Sequence, residues 1–96
     1  MQKQTAKEKK NIELYQAFLK LGSVEECAKF MRDLCTEQEI ETLSERWQVA
    51  QKVDNKIPYR KISEDTGAST ATITRVAHWL HHGMGGYKLM LDRIKN

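Results

Sequence analysis

Three observations predict an all-α protein. Val, Ile and Thr nowhere alternate in strand fashion. The large apolar residues recur at spacings of three and four, and the stretches that carry them are bounded by residues that cap or end helices. A chain of 96 residues with 40% hydrophobic and 30% charged residues is globular, and it is too short for two independent cores. One domain over 1–96 is expected.

Six helices can be placed in order. Ile12, Tyr15, Phe18 and Leu19 share one face of the first, which Gly22 ends. Ser23 caps the second, with Glu25 and Glu26 in its first turn and Cys27, Phe30, Met31 and Leu34 as its stripe. Thr36 opens the third, and with Glu39 it matches a capping box. Its seam is Ile40, Leu43, Trp47, Ala50 and Val53. Pro58 starts a short fourth helix, as proline suits a first helical turn, and Gly67 ends it. Ser69 or Thr70 caps the fifth, and the glycines of "GMGG" (83–86) end it. Tyr87, Met90, Leu91 and Ile94 mark the last. Stripes at this spacing are core far more often than ligand boxes. Six amphipathic helices are more than so short a chain can bury, so an intertwined homodimer is expected. Residues 1–57 would supply dimerisation helices with a basic N-terminal arm, 58–82 a helix-turn-helix, and 83–96 a C-terminal dimerisation helix.

Composition narrows the function. No apolar run approaches a membrane span, and "MQKQTAKEKK" lacks the apolar stretch of a secretory signal. Cys27 and Cys35 have no partners at metal or redox spacing, so they are expected to be buried, reduced thiols of a cytoplasmic protein. No Ser/His/Asp grouping, paired carboxylates or phosphate loop can be assembled, so an enzyme is not expected and no cofactor is implied. Residues 36–54 carry five acids against two bases, and residues 55–96 carry seven bases against three acids. Residues 66–91 contain no acid at all. A surface that meets phosphate excludes carboxylates because each would repel the polyanion.

That acid-free stretch opens with "TGASTATITR" (66–75), which is rich in hydroxyls and small residues and holds one large apolar side chain. Residues 59–78 have what a helix-turn-helix needs. Ser63 is small where the helices nearly touch, Gly67 takes the turn, and Ile62, Ala68, Ile73 and Val76 are apolar around the crossing. A recognition helix enters the major groove by its N-terminal residues, and short side chains let its backbone approach the bases. Ser69, Thr70, Ala71, Thr72 and Thr74 fit that need. The competing reading is a capped, solvent-facing helix start.

These residues carry a resemblance. "TGASTATITR" resembles the DNA-reading unit of the bacterial Trp repressor family, which "ATITR" (71–75) matches letter for letter. Upstream, "LCTEQEIETLSERWQVAQKV" resembles that family's central helix, with Thr36 and Arg46 in register. The resemblance runs from about residue 12 to 95, with a one-residue length difference around "DNKIP". It is nearest to the Trp-repressor-like YerC/YecD group. It implies an intertwined, all-α homodimer on double-stranded DNA, bound at a palindromic operator. It also implies that Arg60, beside Lys61, reads a base.

In the family, tryptophan lies between two arginines that match Arg46 and Arg75, with small residues where this chain has Val76 and Trp79. The cleft of Thr36, Arg46, Arg75, Val76 and Trp79 is therefore expected to be filled, leaving any effector unidentified. His78 and His82 could share a metal or could be solvated or phosphate-contacting. Lys3, Lys7, Lys9 and Lys10 could lie along DNA or simply solvate a helix entry. The rival function is a helix-turn-helix that docks protein. An exposed aromatic anchor would favour it, so the burial of Trp79 discriminates.

Overall fold

The computed structural model describes residues 5–95. Six helices and no strand occur among them: α1 (Ala6–Phe18), α2 (Val24–Leu34), α3 (Glu37–Asp54), α4 (Tyr59–Thr66), α5 (Thr70–His82) and α6 (Gly86–Lys95). The chain separates into two compact units that meet between residues 37 and 38. Nearly all of α3 thus groups with α4, α5 and α6.

The first unit begins with a cap the sequence reading passed over. Thr5 Oγ1 accepts the Glu8 N–H at 3.0 Å, while the Thr5 N–H donates to Glu8 Oε2 at 2.9 Å. This capping box satisfies two donors at once and starts α1 at Ala6. Lys7, Lys9 and Lys10 are consequently exposed positions of α1, and Lys3 lies outside the described residues. Ser23 caps α2 as expected, its hydroxyl accepting the Glu26 N–H at 3.1 Å. The Glu26 carboxylate reaches back to the Gly22 N–H at 2.7 Å. Phe18 and Phe30 meet edge to face, with ring centroids 5.2 Å apart.

Neither α1 nor α2 buries a single residue. Cys27 is exposed and Cys35 half-buried, which corrects the expectation of buried thiols. The physical reason is that this unit has no closed core in which to place them.

The second unit has one. Val49, Ala50 and Val53 of α3, Ile62 of α4, Ile73, Val76, Ala77 and Leu80 of α5, and Leu91 of α6 form a single cluster with Ala68 of the turn. Val49 was missing from the expected seam, whereas Leu43 of that seam is exposed. Burying a valine or isoleucine side chain contributes about 1.5–3 kcal/mol. Trp47 and Tyr87 pack beside the cluster with nearly parallel rings, 8° apart in plane and 6.3 Å between centroids. Around the rim, Asp65 is shared by Lys52 at 3.8 Å and Lys61 at 3.2 Å. Lys95 pairs with Asp54, and that contact raises the Lys95 pKa above the ordinary lysine value. Met90 and Ile94, expected on the packed stripe of α6, are exposed instead.

Pro58 precedes α4 as its N-cap residue with extended backbone (ψ 142°), one position earlier than expected. Gly67 closes α4 in the left-handed region at φ 77°. A Cβ at Gly67 would meet nothing within 4 Å, so only backbone strain opposes substitution there. Gly67→Ala should therefore cost about 1–2 kcal/mol. Urea denaturation would read this as a lowered midpoint with an unchanged slope; a neutral Gly67→Ala would mean the turn is not held left-handed.

Candidate nucleic-acid interface

The turn between α4 and α5 is assembled from small polar residues. Ser63 Oγ donates to the Ala68 carbonyl at 2.8 Å, tying the middle of α4 to the start of α5. Thr66 Oγ1 donates to the Ile62 carbonyl at 2.7 Å and accepts the Ala68 N–H at 3.1 Å. The Gly67 N–H donates to the Ser63 carbonyl at 2.9 Å. Ala68 is 1% exposed, so its methyl seals the crossing beneath these bonds. Ser69 then caps α5: its hydroxyl accepts the Thr72 N–H at 3.1 Å and donates to Thr72 Oγ1 at 3.1 Å.

This arrangement sorts the expected reading residues. Ser69, Thr70, Ala71 and Thr74 stand on the surface. Thr72 is half-buried and its hydroxyl is engaged with the cap, so it is the least available of the five. Ile73 between them is fully buried and anchors the helix start to the core. On α4, the Arg60 side chain is 93% exposed and touches Glu64 at 3.5 Å, an exposed pair worth little. Lys61 leans on Asp65 and is more restrained. The helix therefore presents short side chains, an accessible N-terminus and a nearby arginine, with no carboxylate between residues 66 and 91.

Arg46, Arg75, Val76, Trp79 and Tyr87 line a concavity of about 240 Å³. The two arginines expected to face each other do contribute to one cleft. Val76 is almost fully buried and Trp79 is 53% exposed, so both stand in its wall and leave it open within one chain. Thr36 precedes α3 in the first unit, where it is exposed and has contacts of its own. A second, apolar groove of about 480 Å³ shares Trp79 and Tyr87 and adds Trp47, Gly83, Met84 and Met90. Sequence reading missed it. The available signal was "GMGG" directly after an aromatic turn: a Cβ on Gly83 would run into the Trp79 carbonyl, so only glycine lets the chain turn away there.

His78, His81 and His82 are all exposed. The His78 and His82 rings lie 5.3 Å apart, and no group of three or more potential metal ligands occurs among the described residues. No helix among them is long and apolar enough to cross a membrane.

A cored pair of crossed helices with an exposed, short-side-chain second helix defines a helix-turn-helix protein. The sequence profile of the Trp repressor protein family matches residues 9–95, and the chain belongs to that family, which is one of regulators and not of enzymes. It is 45% identical over 83 residues to the uncharacterized protein YerC of Bacillus subtilis (strain 168), covering 86% of this chain and 80% of YerC. Two crystal structures are similar as well. A candidate Trp repressor from Staphylococcus aureus superposes with a TM-score of 0.83 at 46% identity, over 86% of this chain and 83% of the other. A TrpR-like protein from Eubacterium eligens gives 0.84 at 42% identity, over 86% of each chain.

Proposed function

We propose that this chain is a sequence-specific, DNA-binding transcription regulator, a repressor that grips a palindromic operator in the cytoplasm as an intertwined homodimer. The observation that carries the reading is the exposed start of α5, where Thr70, Ala71 and Thr74 project from a helix held by Ile73 and capped by Ser69. Family membership supports it. Selection of bound DNA from a random pool should enrich a two-fold symmetric site with half-sites about 34–36 Å apart. Arg60→Ala should relax discrimination at one base pair by about 1–3 kcal/mol. Absence of any enriched sequence at moderate salt would remove the proposal.

Dimerisation is supported by the first unit. Tyr15 is 60% exposed, Leu34 47% and Phe18 36%, apolar surface that a lone chain leaves in water. Sedimentation equilibrium at micromolar concentration should return twice the 11.2 kDa chain mass. A folded, cooperative monomer would contradict the intertwined assembly.

The regulator acts without tryptophan. Trp79 brings an indole of its own to the wall of the cleft that Arg46 and Arg75 share, without filling it. In this proposal that indole, not a bound ligand, sets the reading heads. A ligand shifts a conformational balance only by its differential affinity for the two states. Calorimetry should accordingly register no micromolar binding of L-tryptophan, and the amino acid should leave operator affinity unchanged. Trp79→Ser combined with Val76→Gly should weaken operator binding; a double variant as tight as the parent would refute the role given to Trp79.

The exposure of Trp79 also favours a second reading, in which the helix-turn-helix docks a protein. It predicts that Trp79→Ala abolishes partner binding while no DNA sequence is enriched.

A further inference from the structure

Ala71, Arg75, His78 and His82 follow one another at spacings of four, three and four, so they form one row along α5. All four are exposed, on the side of the helix away from Ile73, Val76, Ala77 and Leu80, which are buried. The row starts among the reading residues and ends at the helix C-terminus. His81 lies off it, with its ring centroid 6.4 Å from that of His82. The His78 ring meets Trp79 edge-on at 5.5 Å. Beyond these ring contacts the three histidines form no hydrogen bond or ion pair among the described residues.

The charged groups on α3, α4 and α6, which pack against α5, do not claim them either. On α3, Arg46 shares the cleft of Arg75 and Asp54 pairs with Lys95. On α4, Glu64 pairs with Arg60, and Asp65 pairs with Lys61 and with Lys52 of α3. On α6, Asp92 acts on Lys95, and the remaining charges, Lys88 and Arg93, are basic. Arg75 stands in the row itself. Histidine is the side chain whose charge changes between about pH 5 and 8. Two exposed imidazoles, aligned with an arginine and lacking carboxylate partners, suit an anion that reaches the helix from outside.

We infer that His78 and His82 form a proton-linked contact with DNA phosphates beside the reading face, which makes operator affinity depend on pH. The inference rests on the DNA-binding reading and adds to it a regulatory input. Its sign follows from charge. The protonated imidazole donates to the phosphate and the neutral one loses the charge, so binding takes up protons and tightens as pH falls.

The experiment uses the full-length chain and the operator selected from a random pool, with affinity measured against salt at pH about 8 and about 6. The parent should bind on the order of tenfold tighter at the lower pH, with a steeper salt slope, by roughly one unit for each phosphate newly neutralised. His78→Gln combined with His82→Gln should keep the parent's thermal midpoint and lose both the tightening and the added slope between the two pH values. His81→Gln should keep them. The inference is overturned if the double variant retains the parent's pH response, or if His81→Gln alone removes it. If no sequence is selected at either pH, the DNA reading falls and this inference falls with it. Selection that succeeds with a pH-independent affinity overturns the inference alone.

Discussion

The crossing of α4 over α5 is the constraint on which the proposed DNA-reading surface depends. The helices can approach only because Ser63 and Ala68 are small, and the approach is secured because Ser63 Oγ donates to the Ala68 carbonyl at 2.8 Å. Gly67 lets the chain reverse between them at φ 77°. Ile62 and Ile73, both fully buried, then lock the pair from below. Everything exposed on α5 inherits its position from this junction. A residue larger than alanine at 68 would wedge the helices apart and re-aim Thr70, Ala71 and Thr74 together.

The same packing explains why the reading helix can be so sparsely clothed. Threonine and serine are mediocre helix formers, and a helix opening with them gains little from propensity. Here the cap of Ser69 and the burial of Ile73, Val76, Ala77 and Leu80 hold the helix instead. The outer face is thereby released from any structural duty. At the far end, Gly83 turns the chain away directly beneath the Trp79 carbonyl, which leaves the Trp79 indole between the arginine-lined cleft and the apolar groove.

The two units differ in kind. Residues 38–95 close a core from α3, α4, α5 and α6, whereas α1 and α2 are well capped yet bury nothing. Good local capping thus sets where these helices start, while their apolar residues stay at least partly in water within this unit. These include the stripe of Phe30, Met31 and Leu34 on the strongly amphipathic α2.

Local chemistry was readable from sequence. Helix starts at Ser23 and Ser69, the left-handed stop at Gly67 and the apolar pins Ile62, Ala68, Ile73 and Val76 follow from capping, turn stereochemistry and spacing, which involve residues within a few positions of one another. What eluded sequence was long-range. Periodicity places a residue on a face but cannot say how much of that face is covered. Val49 was thus missed, while Leu43, Met90 and Ile94, placed on the apolar stripes of α3 and α6, stand exposed within one chain. Thr72 looked like an equal of Thr70 and Thr74 until its hydroxyl was found bonded to Ser69. The resemblance had already grouped Arg46, Arg75 and Trp79 around one cleft. Tertiary structure alone decided that Trp79 walls that cleft without closing it and that Tyr87 joins its lining, because the arginines lie 29 residues apart and the packing of α3, α5 and α6 sets how much room is left between them.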